Sequence, residues 1–333
     1  MKKHKRRSAV LLGLLTLVMF LPMHAFAMGS IDLSRGVSLT VSCQDGDTPL
    51  AGAQFDLYQV AAADESGELT VTGDFTQISA DIHGGNGEAQ KTLASTLAGY
   101  ILRDGISPAD SGKTDSNGIV SFPSPGKALT PGLYLVLGHR HTQNGYRYDP
   151  APFMVMLPYS DSENNTWVYD AAANAKYDSS EIPDTPQEDA IDREALKIWK
   201  DDGHEDVRPK EIIVQLLCDG KVCDTVTLNA ANNWRYTWTG LDGKYSCTVV
   251  EQVPENYTVE IAREGNTFVV TNTYNRNTPD EPAPVNPSEP DESRSSLPQT
   301  GQLWWPVVLL ICTGLLLVMI GLVCGRTNND EKN

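Results

Sequence analysis

Cysteine and histidine are scarce in this chain of 333 residues, six of each, and neither is spaced as a zinc site requires. So few cysteines also exclude a disulfide-dense scaffold. His139 and His141 alternate like neighbours on a strand or loop, with no partner Cys nearby, and read as surface histidines. Positive charge is short as well: 26 Lys and Arg stand against 43 Asp and Glu, which argues against nucleic acid and anionic lipid as partners. No Ser/His/Asp, Cys/His or paired-carboxylate set stands out from the acidic background, so a glycosidase or peptidase is disfavoured and no enzyme is expected. Asp45-Gly46-Asp47 and Asp115-Ser116-Asn117-Gly118 lack the spaced oxygen ligands and closing Glu of a calcium loop, and neither metal nor cofactor is expected. The βαβ alternation of a parallel α/β protein is missing too. Apolar residues, at 40%, are plentiful enough for ordinary globular modules.

They are concentrated at the two ends. Residues 1–27 begin with Lys2, Lys3, Lys5, Arg6 and Arg7, run through an apolar stretch from Ala9 to Leu21, and reach Ala25-Phe26-Ala27. This is the pattern of a secretory signal peptide cut after Ala27. At the other end, Leu303 to Val323 is almost uncharged and long enough to cross a bilayer as a helix, followed by a short tail, 324–333. Without residues 1–27 and those after Thr300, 19 basic and 41 acidic residues remain, a net charge of −22. Directly before the apolar span stand Leu297, Pro298, Gln299, Thr300 and Gly301. An LPxTG pentapeptide, an apolar span and a polar tail resemble the cell-wall sorting signal of Gram-positive surface proteins. The resemblance implies a sortase that cuts between Thr300 and Gly301 through a Cys thioester, and a protein exported, anchored to the wall and displayed at the surface or in a pilus. The tail carries only Arg326 and Lys332 where the family shows a tight basic cluster.

Between the ends, residues 28–177 show mostly short alternating strands, such as Val37, Leu39, Val41 and Cys43 on one face. Leu93, Leu97, Tyr100 and Ile101 instead fall at helical spacing and predict one helical insertion with a single apolar stripe. Residues 178–192, with Pro183 and Pro186, read as a linker. Residues 193–276 form a second all-strand module, and the Pro-rich residues 277–296 an extended stalk. The expectation is an all-β protein, two antiparallel β-sandwich domains in tandem with a C-terminal transmembrane helix. Cys43, Cys218, Cys223 and Cys247 allow three complete pairings, or stay as buried thiols.

In the second module, parity puts Ala195, Lys197 and Trp199 on one strand face. Tyr245, Cys247, Val249 and Glu251 share a second face, and Phe268, Val270, Asn272 and Tyr274 a third. Each apolar face then carries one polar residue, and burying an unpaired Lys or Glu costs several kcal/mol, so the placement calls for a reason. The stretch from Lys197 (Lys-Ile-Trp-Lys-Asp-Asp), NNWRYTW from Asn232, the strand from Tyr245 to Glu251 followed by Pro254 and Tyr257, and FVVTNTY from Phe268 resemble a Cna B-type domain of Gram-positive adhesins and pilins, an Ig-like sandwich. The resemblance implies an internal isopeptide bond between Lys197 and Asn272, assisted by Glu251.

The first module resembles the N-terminal domain of fimbrial pilins in the segment from Val37 through GDTPLAGAQFDLYQV, in LTPGLYLVLG from Leu129 and in PAPFMVMLP from Pro150. Its bond-forming parts are absent: Cys43 stands where a Lys is expected, Gly138-His139-Arg140 where the acid falls, and Tyr177 follows Lys176 where relatives place Asn. Trp167 and Lys176 have the spacing of the pilin motif that ends in the polymerising Lys. Ala171, Ala173, Asn174 and Ala175 replace its usual Val, Val, Tyr and Pro. Parity leaves Lys176 on a polar face, open to an intermolecular reaction. The functional expectation is a pilin subunit joined by sortase to other pilin subunits or to peptidoglycan, with any host ligand unknown. The alternative is a monomeric wall-anchored adhesin or minor pilin in which Lys176 does nothing.

Overall fold

The computed structural model describes residues 29–83, 85–161, 163–182 and 190–275. The signal segment, the stalk, the LPQTG motif with Leu297, Pro298, Thr300 and Gly301, and the apolar span lie outside them. In the first module the main elements are β1 (Ser38–Ser42), β2 (Gln54–Ala63), α1 (Gly87–Asp104), β3 (Asp110–Lys113), β4 (Ile119–Phe122), β5 (Gly132–Gly138), β6 (Tyr146–Pro150), β7 (Phe153–Leu157), β8 (Asp170–Asn174) and β9 (Tyr177–Glu181). One sheet has the order β8-β1-β4, and the facing sheet is built on β7-β5-β2 with β3 also paired to β2. Val37, Leu39, Val41 and Cys43 meet Phe55, Leu57, Tyr134 and Val136 between the sheets. The opposite faces of β2 and β5 present Tyr58, Val60, Leu133, Leu135 and Leu137 to α1. Covered on both sides, those two strands read as nearly continuous apolar runs.

Helix α1 begins where the Asn86 side chain accepts the N–H groups of Glu88 and Ala89, and ends at Gly105 in the left-handed region, φ 64°. Leu93, Ala94, Leu97, Ala98 and Ile101 pack on its own sheet.

The second module comprises β10 (Ala190–Lys200), β11 (Glu211–Cys218), β12 (Lys221–Asn229), β13 (Arg235–Asp242), β14 (Cys247–Glu251), β15 (Tyr257–Glu264) and β16 (Thr267–Tyr274). Its sheets run β13-β10-β16-β15 and β12-β11-β14. Ala195, Val214, Leu216, Val249, Val259, Phe268 and Val270 fill the space between them.

The structure departs from the sequence reading in five places. Neither sandwich is purely antiparallel: β1 runs parallel to β8 and β10 parallel to β16, because alternation fixes the face of a strand and not its direction. Residues 177–181 pair with β6 and β10 starts at Ala190, so strand occupies both ends of the stretch read as a linker. Those ends are mostly polar and exposed, the composition of an edge strand held by its ladder rather than by burial. Tyr245 lies in the turn before β14 and is exposed. Cys218 and Cys223 are joined, while Cys43 and Cys247 are buried thiols in the cores of different modules. Finally, Tyr100 leaves the stripe of α1 and enters the core of the second module.

That last departure makes the two modules one continuous body. Thr96 Oγ1 accepts the Ile261 N–H at 2.8 Å, and the Ser79 carbonyl accepts the Val259 N–H at 2.8 Å. The outer edge of β15 is thereby closed by the first module. Gly99 permits the approach: a Cβ there would lie 2.9 Å from Val250 Cγ1 and 3.4 Å from the Val249 carbonyl oxygen.

Candidate functional site

The parallel pairing of β10 with β16 sets Lys197 opposite Val270 and Trp199 opposite Asn272. Strand β14, in the other sheet, aims Glu251 into the same space. Lys197, Glu251 and Asn272 are 4%, 0% and 0% exposed, so the three polar residues placed by parity converge in one buried pocket. Lys197 Nζ donates to Glu251 Oε2 and to the Val270 carbonyl, both at 3.4 Å. Asn272 Nδ2 donates to Glu251 Oε1 at 2.9 Å. Among the described residues nothing hydrogen-bonds Asn272 Oδ1. A buried carbonyl oxygen left bare is costly. Turning the amide over would let it accept from Glu251 once that carboxyl carries a proton.

Burial drives both titrations. It pulls the Lys197 amine down to about 8 against the opposing pull of Glu251, and pushes the Glu251 carboxyl up against Lys197 and Asn272. The pair is therefore poised to pass one proton from amine to carboxylate. The products, a neutral nucleophile and a carboxylic acid beside a carboxamide, are the reactants an amide-forming step needs.

Aromatic rings form the wall. The amine lies 4.4 Å from the centroid of the Trp199 ring, and that ring meets Trp234 and Tyr257 edge-on, each at 5.2 Å. Trp234 sits at φ 59°, a conformation bulky residues rarely hold, and its carbonyl accepts the Lys197 N–H at 2.9 Å. Behind Tyr257, Asp201 takes a bidentate pair from Arg208 and a hydrogen bond from the phenol. The Arg208 bonds hold the Asp201 carboxyl below its usual range. Sequence parity gave no weight to this cage; the signal was the density of Trp and Tyr around Lys197, which reads equally well as core.

Two family models match the chain. Residues 34–172 match the Gram-positive pilin subunit D1, N-terminal domain, and residues 194–273 match the Cna protein B-type domain. The chain carries a pilin N-terminal domain followed by a Cna B-type domain. A stretch of 106 residues is 40% identical to a collagen adhesin of Staphylococcus aureus, covering 29% of this chain and 9% of the adhesin's length. Among solved structures, a single B repeat unit of the collagen-binding surface protein of S. aureus is 21% identical, over 72% of this chain and 98% of that one, at a TM-score of 0.25. The full-length major pilin SpaD of Corynebacterium diphtheriae is 17% identical over 73% and 65%, at a TM-score of 0.29.

Among the described residues the pilin domain shows no matching cluster at the corresponding positions. Cys43 is buried in apolar surroundings, and His139 Nε2 lies 2.6 Å from Asp56 Oδ2. Lys176 is exposed, in the two-residue break between β8 and β9. Its backbone carbonyl accepts the Ala151 N–H at 2.8 Å, which fixes the main chain and leaves the amine in solvent. Strand β9 follows it, so Lys176 lies between two strands of the domain.

Proposed function

We propose that this Cna B-type domain cross-links itself, and that the chain is a structural pilin subunit which sortase joins to the next subunit or to the wall. The observation that carries the reading is the meeting of Lys197, Glu251 and Asn272, all buried, at hydrogen-bond distance in one pocket. The neutral Lys197 amine attacks Asn272 Cγ. Glu251, having taken the amine's proton, donates to the carboxamide and later helps the nitrogen leave as ammonia. One C–N bond forms and one breaks, so the step is a single-turnover self-modification that requires no cofactor. A cross-link between the first and last strands of a domain suits a fibre under tension, since both strands then bear load through covalent bonds.

Polymerisation rests on two further residues. Sortase cuts after Thr300, and the exposed Lys176 amine of another subunit resolves the thioester. Lys176→Ala should leave folding and wall attachment intact and abolish the ladder of covalent multimers on a denaturing gel. A ladder that persists in this variant, with Thr300 joined to another Lys, would rule out Lys176 as the nucleophile. A wild-type chain that never forms a ladder with its own sortase would favour a monomeric wall-anchored adhesin or minor pilin. The 40% identity to part of a collagen adhesin and the alanines at 171, 173 and 175 favour that second reading.

A further inference from the structure

The reaction centre of the second domain is walled on one side by the first. Tyr100, 2% exposed, reaches out of α1 and donates its hydroxyl to the backbone carbonyl of Glu251 at 2.9 Å. Its ring belongs to the cluster of buried residues that forms the second domain's core, and Arg103 lies over the ring at 4.7 Å. Just beyond is a polar cleft of about 340 Å³ bounded by Gln77, Ser79, Tyr100, Arg103, Gln215 and Glu251. Although Glu251 borders this cleft, its side chain is fully buried.

We infer that α1 of the pilin domain is a lid on the isopeptide centre of the Cna B-type domain, with Tyr100 as the positioning residue that holds Glu251 in register and keeps the cleft's water from it. The inference rests on the reading of Lys197, Glu251 and Asn272 as a reaction centre. It assigns the first domain a part in making the second domain's bond. The β14 carbonyl that takes the Tyr100 hydroxyl belongs to the same residue as the carboxyl acting on Asn272, so a shift of that backbone moves the acid directly. The groups acting on the Glu251 carboxyl are Lys197 from β10 and Asn272 from β16, and Tyr100 from α1 bonds its backbone; Gln215 from β11 and Arg103 from α1 line the cleft beside it, and Asp201 and Arg208 act on Lys197 from behind Trp199. If water enters, Glu251 moves down towards its ordinary range and Lys197 up towards 10.5. The ion pair then outweighs the neutral pair that reacts.

The test uses the full chain, made by cell-free translation, trapped in guanidinium chloride before it cyclises, and refolded by dilution across a pH series. Ammonia loss is followed by intact mass. Tyr100→Phe keeps the wall and removes only the hydroxyl; it should slow cyclisation about tenfold. Tyr100→Ala opens the cleft; it should slow cyclisation about a hundredfold and widen the rate–pH bell on both limbs. Melting temperatures of the same variants in an Asn272→Ala background, which cannot cyclise, report their structural cost separately. Wild-type rate and bell in both variants would overturn the lid, and so would a slower rate with an unchanged bell and a lowered melting temperature in that background, the mark of a merely structural side chain. A wild-type chain that keeps its ammonia would instead overturn the reading of the site itself.

Discussion

Lys197 and Glu251 face each other at 3.4 Å in a pocket whose burial disfavours charge on both, and several consequences follow at the scale of the residue. The reactive state holds one proton between them, on the acid, so cyclisation should follow a bell-shaped pH profile whose limbs belong to the pair. The alkaline limb is expected near about 8, where the shared proton is lost, and the acid limb above the ordinary 4.5 of a Glu, since burial raises it. A stopped time course of ammonia loss across pH measures both limbs; a rate that climbs steadily to pH 10.5 would show that Glu251 gives no proton. Stability carries the same signature in the Asn272→Ala chain. There Lys197 titrates lower folded than unfolded, so folding is penalised below about 8 and the penalty is gone above 10.5. Stability relative to the cyclised wild type should therefore rise across that window, by on the order of 3 kcal/mol in urea titrations. Period-two parity made the three buried polar residues legible in the sequence. It could not reveal Tyr100 or the Trp199, Trp234 and Tyr257 cage, because a ring that walls a site and a ring that fills a core follow the same pattern.

At the scale of the element, α1 shows where periodicity stops. Spacing disclosed a helix and the stripe it lays on its own sheet. The second buried face, with Thr96, Gly99 and Tyr100, was hidden, because one is polar, one has no side chain, and the third counted as part of the stripe. Gly99 gives a prediction of unusual sign. Gly to Ala in a helix interior ordinarily gains about 1 kcal/mol, yet here the added Cβ would press on Val250 Cγ1 at 2.9 Å. Gly99→Ala should lower stability by about 1–3 kcal/mol through overpacking, read as a lower melting temperature. A rise would mean that α1 and β14 are not in close contact. Parallel pairing of first and last strands was equally hidden, and it is what brings β16 beside β10.

Across the whole molecule, two sandwiches that the sequence separated by a linker are locked through α1, and among the described residues the buried Lys, Glu and Asn cluster lies in the second. A Lys197–Asn272 bond closes a loop of about 75 residues and, by analogy with a long-range disulfide, stabilises by on the order of 4 kcal/mol. Protease or heat should consequently open residues 30–177 before residues 193–274, even though opening the first domain uncovers Tyr100. The reverse order in limited proteolysis would place the stronger domain first and contradict a bond confined to the second. The most direct measurement is the mass of the intact folded chain, followed by tandem mass spectrometry of its peptides. The account predicts a chain lighter than its encoded mass by one ammonia, with Lys197 and Asn272 in one branched peptide, and the full mass restored by Glu251→Ala. The full encoded mass in the wild-type chain, with Lys197 and Asn272 in separate peptides, would contradict it.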